Sequence, residues 1–436
     1  MEVKDATARY RLLRNGEERQ HTEIGPLPID WEVRRLNELA SIRTGIAKNG
    51  GAAIDNPVLV HYLRVANVQD GYLDLSEMRQ LKVRAEDVKR YAVLPGDMLM
   101  NEGGDLDKLG RGALWNGAFE PCVHQNHVFV VRCGSRLLPE LLSAWTGSVQ
   151  ARRFFMLAGR QTTNLASINK TSLGQFPVPL PPTKGEQQSI AEALSDADAL
   201  IEFLSLLLKK KREIKQGVMQ ELLTGQRRLP GFDKAWTGIK LSSLGFTYGG
   251  LTGKTKAHFG QGQARYITFM NVVANVELNP HQTESVDVGA GETQNSVSIG
   301  DLLFNGSSET PEEVALCSYV GNEVGPLFLN SFCFGFRPHR LGAFCGLFMA
   351  YFFRSESGRR VISALAQGAT RYNISKTALL DAQFVVPEVD EQFAIAEVLT
   401  DFEAEIAAIE VRLAKAREFK QGMMQALLTG RIRLTQ

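Results

Sequence analysis

The sequence predicts an α+β protein: two globular domains separated by two long helices that pair as an antiparallel coiled coil, with a pseudo-twofold internal repeat. Three observations lead there. Residues 186–229 (EQQSIAEALSDADALIEFLSLLLKKKREIKQGVMQELLTGQRRL) recur as residues 391–434 (EQFAIAEVLTDFEAEIAAIEVRLAKAREFKQGMMQALLTGRIRL), offset by 205 without a gap and identical at 24 of 44 positions. Each copy spaces its apolar residues three and four apart. Ahead of each copy lie short strand-like runs broken by Gly, Asn and Asp, followed by one helical stretch (about 137–157 and 341–366). Two copies so far apart mean a duplicated unit, not a solenoid.

Taken in order, residues 1–26 are a polar, charged leader that nothing in the second half echoes. The first globular domain spans 27–182 and the second 230–386, and they echo each other loosely. YLRVANV (62–68) matches YITFMNV (266–272), LPGDMLMN (94–101) matches SIGDLLFN (298–305), and Trp31 and Trp236 stand 205 apart. Divergent globules on near-identical helices suggest that the globules differ in what they recognise, while the helices do the same job twice.

The helical segments are 183–229 and 387–436. Ile190, Leu194, Ala197, Ile201, Leu204 and Leu208 form one seam, and Ile395, Leu399, Phe402, Ile406, Ile409 and Leu413 the other. Such a stripe is narrower than that of an ordinary surface helix, and a lone rod would leave it wet. Thr183 and Glu186 form a capping box behind Pro181-Pro182, and Gly225 and Gly430 stand where a C′ glycine ends a helix. Gly217 and Gly422 lie inside the helices, where glycine costs about 1 kcal/mol relative to alanine. A closely approaching backbone would compensate, most simply the partner helix within the chain, alternatively a helix of another subunit.

Composition describes an ordinary globular protein with 44% hydrophobic and 22% charged residues. There is no apolar run long enough for a membrane span and no signal-peptide pattern. Five cysteines without a C-x-x-C fit a reduced cytoplasm. The net charge of +1 gives nucleic-acid binding no support by itself, so a basic surface must come from arrangement in space.

Several motifs fail on spacing. GGLTGKT (249–255) has three residues, not four, between Gly249 and Gly253, so it is not a phosphate-binding loop. CVHQNHVFVVRC (122–133) offers two Cys and two His, but on a strand His124 and His127 point to opposite faces. The E-x-K pairs Glu213/Lys215 and Glu418/Lys420 do not share a helix face. With no methyltransferase tetrapeptide and no nucleophile or paired-carboxylate constellation, the sequence predicts a non-catalytic chain without cofactor or metal.

KQGVMQELLTGQRRL (215–229), KQGMMQALLTGRIRL (420–434), PLPPTKGEQQSIAEAL (179–194) and VVPEVDEQFAIAEVL (385–399) resemble the specificity subunits of Type I restriction–modification systems. The resemblance runs from Leu27 to the end of the helices. It implies two target recognition domains, each reading one half of a bipartite, asymmetric double-stranded DNA target. It also implies that two modification (methyltransferase) subunits dock on the helices. Adenine methylation with S-adenosylmethionine would belong to those subunits, and ATP-driven translocation and cleavage to restriction subunits. The alternative is a coiled-coil scaffold whose globules bind proteins.

Direct readout needs paired donors and acceptors, with Lys and backbone amides on phosphates. The candidates in the first globule are Arg43, Thr44, Lys48, Asn49, Arg160, Gln161, Thr162, Asn164 and Lys170. Those in the second are Lys254, Thr255, Lys256, Arg371, Tyr372, Asn373 and Lys376, with the stretches 159–170 and 368–376 the stronger half. Gln216, Gly217, Gln220, Gln421, Gly422 and Gln425 are the candidate subunit contacts.

Overall fold

The computed structural model describes residues 9–12, 18–47, 54–106, 109–161, 166–323 and 325–435. The chain divides into two compact units, Met1–Ser205 with Arg412–Gln436, and Leu206–Val411. The first long helix runs Lys184–Leu223 and the second Val389–Leu427. Each helix therefore gives its N-terminal half to one unit and its C-terminal half to the other.

Both units are built on the same antiparallel four-stranded sheet. In the first its order is Gly112–Leu114, Met98–Asn101, Val128–Cys133, Ala40–Thr44. In the second it is Cys317–Tyr319, Leu302–Asn305, Cys333–Pro338, Gly245–Gly249. The two inner strands are almost wholly buried, which explains their unbroken apolar sequences MLMN, VFVV, LLFN and CFGF. A helix pair follows each sheet: Pro139–Thr146 and Val149–Ala158, or Gly346–Arg354 and Glu356–Ala364. Ser148 and Ser355 cap the second helix of each pair by accepting a backbone N–H. The duplication thus extends to the four-stranded sheet and the helix pair, although the sequence echoes are faint.

Long-helix residues close each core. Ile190, Leu194, Leu427 and Leu428 pack with Trp31, Trp145, Phe155 and Phe176 in the first unit. Leu222, Leu223, Ile395 and Leu399 pack with Phe348, Phe353 and Phe384 in the second. Along the seams Leu204, Leu208, Ile406, Ile409 and Leu413 are also buried. The helices are antiparallel within each unit, because ion pairs climb one as they descend the other. Asp198 meets Lys420 and Glu186 meets Arg433 in the first unit. In the second, Glu403 meets Lys215, and Glu391 meets Arg228.

The near-identical helix ends form a clamp. Gly430, at φ +61°, ends the second helix in a Schellman turn, with Arg431 N–H donating to Ala426 O at 2.8 Å. That turn swings Arg433 over the Trp31 ring and onto the Glu186 and Asp30 carboxylates. Burial opposes the charge of Arg433, yet hydrogen bonds to Glu186 and Asp30 raise its pKa above the ordinary arginine value. In the other copy Arg228 lies over Trp236 and donates twice to Glu391 at 2.6 Å. The expected capping box is therefore only half formed. Thr183 accepts from Glu186 N–H at 3.1 Å, but the Glu186 carboxylate goes to the arginine instead of back to the cap. The adjoining Gln187 and Gln392 accept from the backbone N–H of Leu138 and Cys345, near the start of each helix pair.

The leader joins the first unit. Arg19–Thr22 and Gly25–Pro28 form a hairpin, and Arg9–Leu12 pairs antiparallel with the C-terminal strand Ile432–Thr435. The residues equivalent to that strand in the other copy, 227–230, are not in a strand.

Candidate nucleic-acid interface

Three loop regions meet in each unit. The chain leaving the first strand passes so close to the next loop that only glycine fits. A Cβ on Gly45 would lie 2.1 Å from His124 O, and one on Gly250 2.0 Å from Asn330 O. That neighbouring loop, 125–127 or 330–332, is then stitched to a small three-stranded sheet. In the first unit Glu102 N–H donates to His127 O at 3.0 Å, and Ile168 N–H to Glu102 O at 2.8 Å. In the second, Gly306 N–H donates to Phe332 O at 2.8 Å, and Ile374 N–H to Gly306 O at 3.3 Å. The small sheets order Arg160–Gln161, Ala166–Ser167, Gly103–Gly104, and Ala366–Gln367, Tyr372–Ile374, Ser307–Ser308.

This frame brings several of the expected residues together. Arg160 is exposed on a strand of the small sheet, and Lys170 is the exposed first residue of a helix capped by Asn169. In the second unit Arg371, Asn373 and Lys376 are exposed, with Tyr372 half-buried beside them. The Arg371 guanidinium lies 5.7 Å from the centre of the Phe332 ring, and Lys376 Nζ lies 5.6 Å from that of Phe334. Thr44 is exposed at the end of its strand, while Lys48, Asn49, Thr162 and Asn164 fall outside the described residues. Gln161 pairs through its backbone with Ala166.

Two expected contacts are engaged elsewhere. Arg43 lies beside Asp97 at 3.9 Å, with its Nε and Nη2 buried. Arg132 already holds that carboxylate with two bonds of 2.6 Å, and burial together with Arg132 lowers the pKa of Arg43. The equivalent position is Tyr248, whose hydroxyl donates to Asp301 at 2.5 Å, so position 43 belongs to a buried ion cluster. Lys254 is almost enclosed and donates to Glu292 at 2.5 Å. That bond, with those from Gln294 and the Gly289 amide, holds the Glu292 pKa at about 2. Neighbouring Thr255 bonds His258, whereas Lys256 stays exposed.

Sequence reasoning passed over Glu102, His127 and Phe332. The spacing of Cys and His within 122–133 speaks only to metal binding. In fact His124 is buried, with Nδ1 2.7 Å from Val128 O, while His127 is exposed, with Nδ1 2.7 Å from Glu102 Oε2.

A second pair of surfaces lies beside the helices. A cleft of about 530 Å³ in the second unit is lined by Arg212, Lys215, Gln216 and Gln220 together with Ser355 and Glu403. A cleft of about 730 Å³ in the first is lined by Arg417, Lys420, Gln421 and Gln425 together with Ser148 and Asp198. Arg212, Lys215, Gln216 and Gln220 of one cleft recur at the 205 offset as Arg417, Lys420, Gln421 and Gln425 of the other, with Asp198 standing where Glu403 does. Gly217 and Gly422 correct one expectation: a Cβ on either would meet nothing within 4 Å. Among the described residues no backbone approaches them, because both face outward beside the exposed glutamines.

Residues 154–216, from the second helix of the first pair into the long helix, match the family model described as Type I restriction modification DNA specificity domain. By this match and those that follow, the chain resembles Type I restriction–modification specificity subunits. It is 30% identical over 207 residues to a putative type I restriction enzyme MjaX specificity subunit of Methanocaldococcus jannaschii, a match covering 47% of this chain and about half (48%) of that relative's length. It is 22% identical over 442 residues to the MjaVIII specificity subunit of the same organism, covering 94% of each. The fold is similar to the crystal structure of the Type I system S subunit from M. genitalium, with a TM-score of 0.52 at 12% identity, covering 92% of this chain and 96% of that one. A chain from a structure of the assembly and conformational transition of the type I R-M system gives a TM-score of 0.55 at 15% identity, covering 93% and 99%. Among the described residues no helix is long and apolar enough to cross a membrane, and no cluster of three or more His, Cys, Asp or Glu could hold a metal.

Proposed function

We propose that this chain is the DNA sequence-specificity subunit of a Type I restriction–modification complex. Each unit reads one half of a bipartite, asymmetric double-stranded target through its converging loops. One modification subunit docks at each helix cleft, and restriction subunits join through the complex. The chain itself contributes recognition and no chemical step. One observation carries this reading: the same two surfaces are built twice, with matching side chains in the helix clefts and different ones at the loop tips. A repeated docking surface suits two copies of one partner, and diverged tips suit two different half-sites. The outward glycines add to it, since a helix that leaves a smooth strip facing nothing of its own leaves room for another backbone.

Two experiments test the proposal. With modification subunits present, the protein binds and methylates one bipartite sequence, and binding weakens steeply with salt. Equal affinity for unrelated duplexes at every salt concentration would sink the DNA-reading half. Gly217→Trp with Gly422→Trp should leave the chain folded but prevent its co-elution with modification subunits. An intact complex on a sizing column would show that docking lies elsewhere.

A further inference from the structure

We infer that Glu102 and Arg371 are specificity-determining side chains of the two units, each aimed by a tip residue at the equivalent position, His127 or Phe332. This inference rests on the DNA-reading proposal and names the chemistry of each half-site. The equivalence comes from the backbone. Positions 127 and 332 are 205 apart, and the carbonyl of each accepts from the residue that follows a buried asparagine, Asn101 or Asn305. That residue's own carbonyl then holds Ile168 or Ile374. The same stitch thus presents two different side-chain pairs.

In the first unit the pair is acidic. Glu102 and His127 are bonded at 2.7 Å, and the carboxylate is 29% exposed. A carboxylate among Arg160 and Lys170 in a surface facing phosphates would repel the backbone of DNA. It is useful there only toward a base edge, where it accepts from an amino group, cytosine N4 being the favoured partner. His127 fixes its direction and is a positioning residue. In the second unit position 306 is glycine, so no carboxylate is present there, and the tip is Phe332, 59% exposed. Exposing this ring contributes nothing to folding, but its face carries the Arg371 guanidinium. A flexible arginine becomes a fixed fork suited to the O6 and N7 of guanine. Phe332 is the positioning residue there.

The test is methylation of a randomised oligonucleotide library by the full-length protein with its modification subunits. Glu102→Gln should shift base preference by about tenfold at one or two positions of one half-site, leaving the other half-site unchanged. Arg371→Gln should do the same in the other half-site. Phe332→Ala and His127→Ala should relax the same positions as their partners' variants, while Phe332→Tyr, which keeps the aromatic platform, should restore the preference. Should Glu102→Gln fail to assemble, Glu102→Asp, which keeps charge but shortens reach, reads the same position. Unchanged preferences overturn the inference, as does a uniform loss of methylation with the profile intact, which would mark these residues as merely structural. A wild-type protein that selects no sequence would instead refute the DNA-reading proposal.

Discussion

The first unit and the second share sheet order, helix pair and helix-end clamp, yet they are stabilised differently where the repeat is loosest. The first buries a titratable His124, ties its terminal arginine to two carboxylates, and takes up the leader as extra strands. The second has apolar Leu329 in place of that histidine, gives Arg228 one carboxylate, and anchors two arginines on carbonyls alone. Arg354 donates to the backbone of Val272, Val273, Asn275 and Cys317, and Arg359 to that of Pro311, Val314 and Ala315. A fold can therefore keep its frame while exchanging the polar devices inside it, even though His124 Nε2 and Arg359 Nε are buried without a hydrogen-bond partner among the described residues.

The largest effect is expected at the clamp. Arg433→Met leaves Glu186 buried without its partner and should cost about 3–5 kcal/mol, seen as a fall in denaturation midpoint. Arg228→Met should destabilise less, because its guanidinium is more exposed and bonds one carboxylate only. Equal losses would show that Asp30 adds nothing.

Acid should then separate the units. Burial, partly offset by the Val128 carbonyl, pushes the His124 pKa down to about 4, below an unfolded value of about 6.5. Between those values the unfolded chain binds a proton that the folded chain refuses. Stability present at neutral pH is therefore lost as pH falls through that window, by about 2–3 kcal/mol. The Tm difference between His124→Leu, which copies the second unit, and wild type should grow steadily toward pH 4.5. A constant difference would remove the buried-neutral assignment.

A smaller and opposite change is expected on the helices. Gly217→Ala and Gly422→Ala should each stabilise the isolated chain by about 1 kcal/mol, since nothing within 4 Å opposes a Cβ. A loss of stability at either would restore the close approach first expected there. Finally, Lys376→Ala should reduce the salt dependence of DNA binding by about 0.9 in logarithmic slope. Lys254→Ala should leave the slope unchanged, because that ammonium is spent on Glu292.

The strongest features were legible in the sequence alone. A three-four apolar spacing defines a buried helix stripe wherever it occurs, so the seams and both long helices follow from local order. Gly225 and Gly430 end them because a left-handed residue is needed there, and a repeat of constant offset implies a repeated element. What required the tertiary structure was every partnership across long sequence separation. Arg433 meets Glu186 only after a glycine turn and a strand bring them together, and Arg43 reaches Asp97 only through the neighbours of its strand. Lys254 looks free in a glycine-rich loop until Glu292, 38 residues on, folds against it. Whether a glycine inside a helix faces a neighbour or open space is likewise invisible in one dimension, because it depends on which side of the rod the rest of the chain covers. Periodicity fixes a side chain's direction relative to its own backbone; only the packed chain decides what stands opposite.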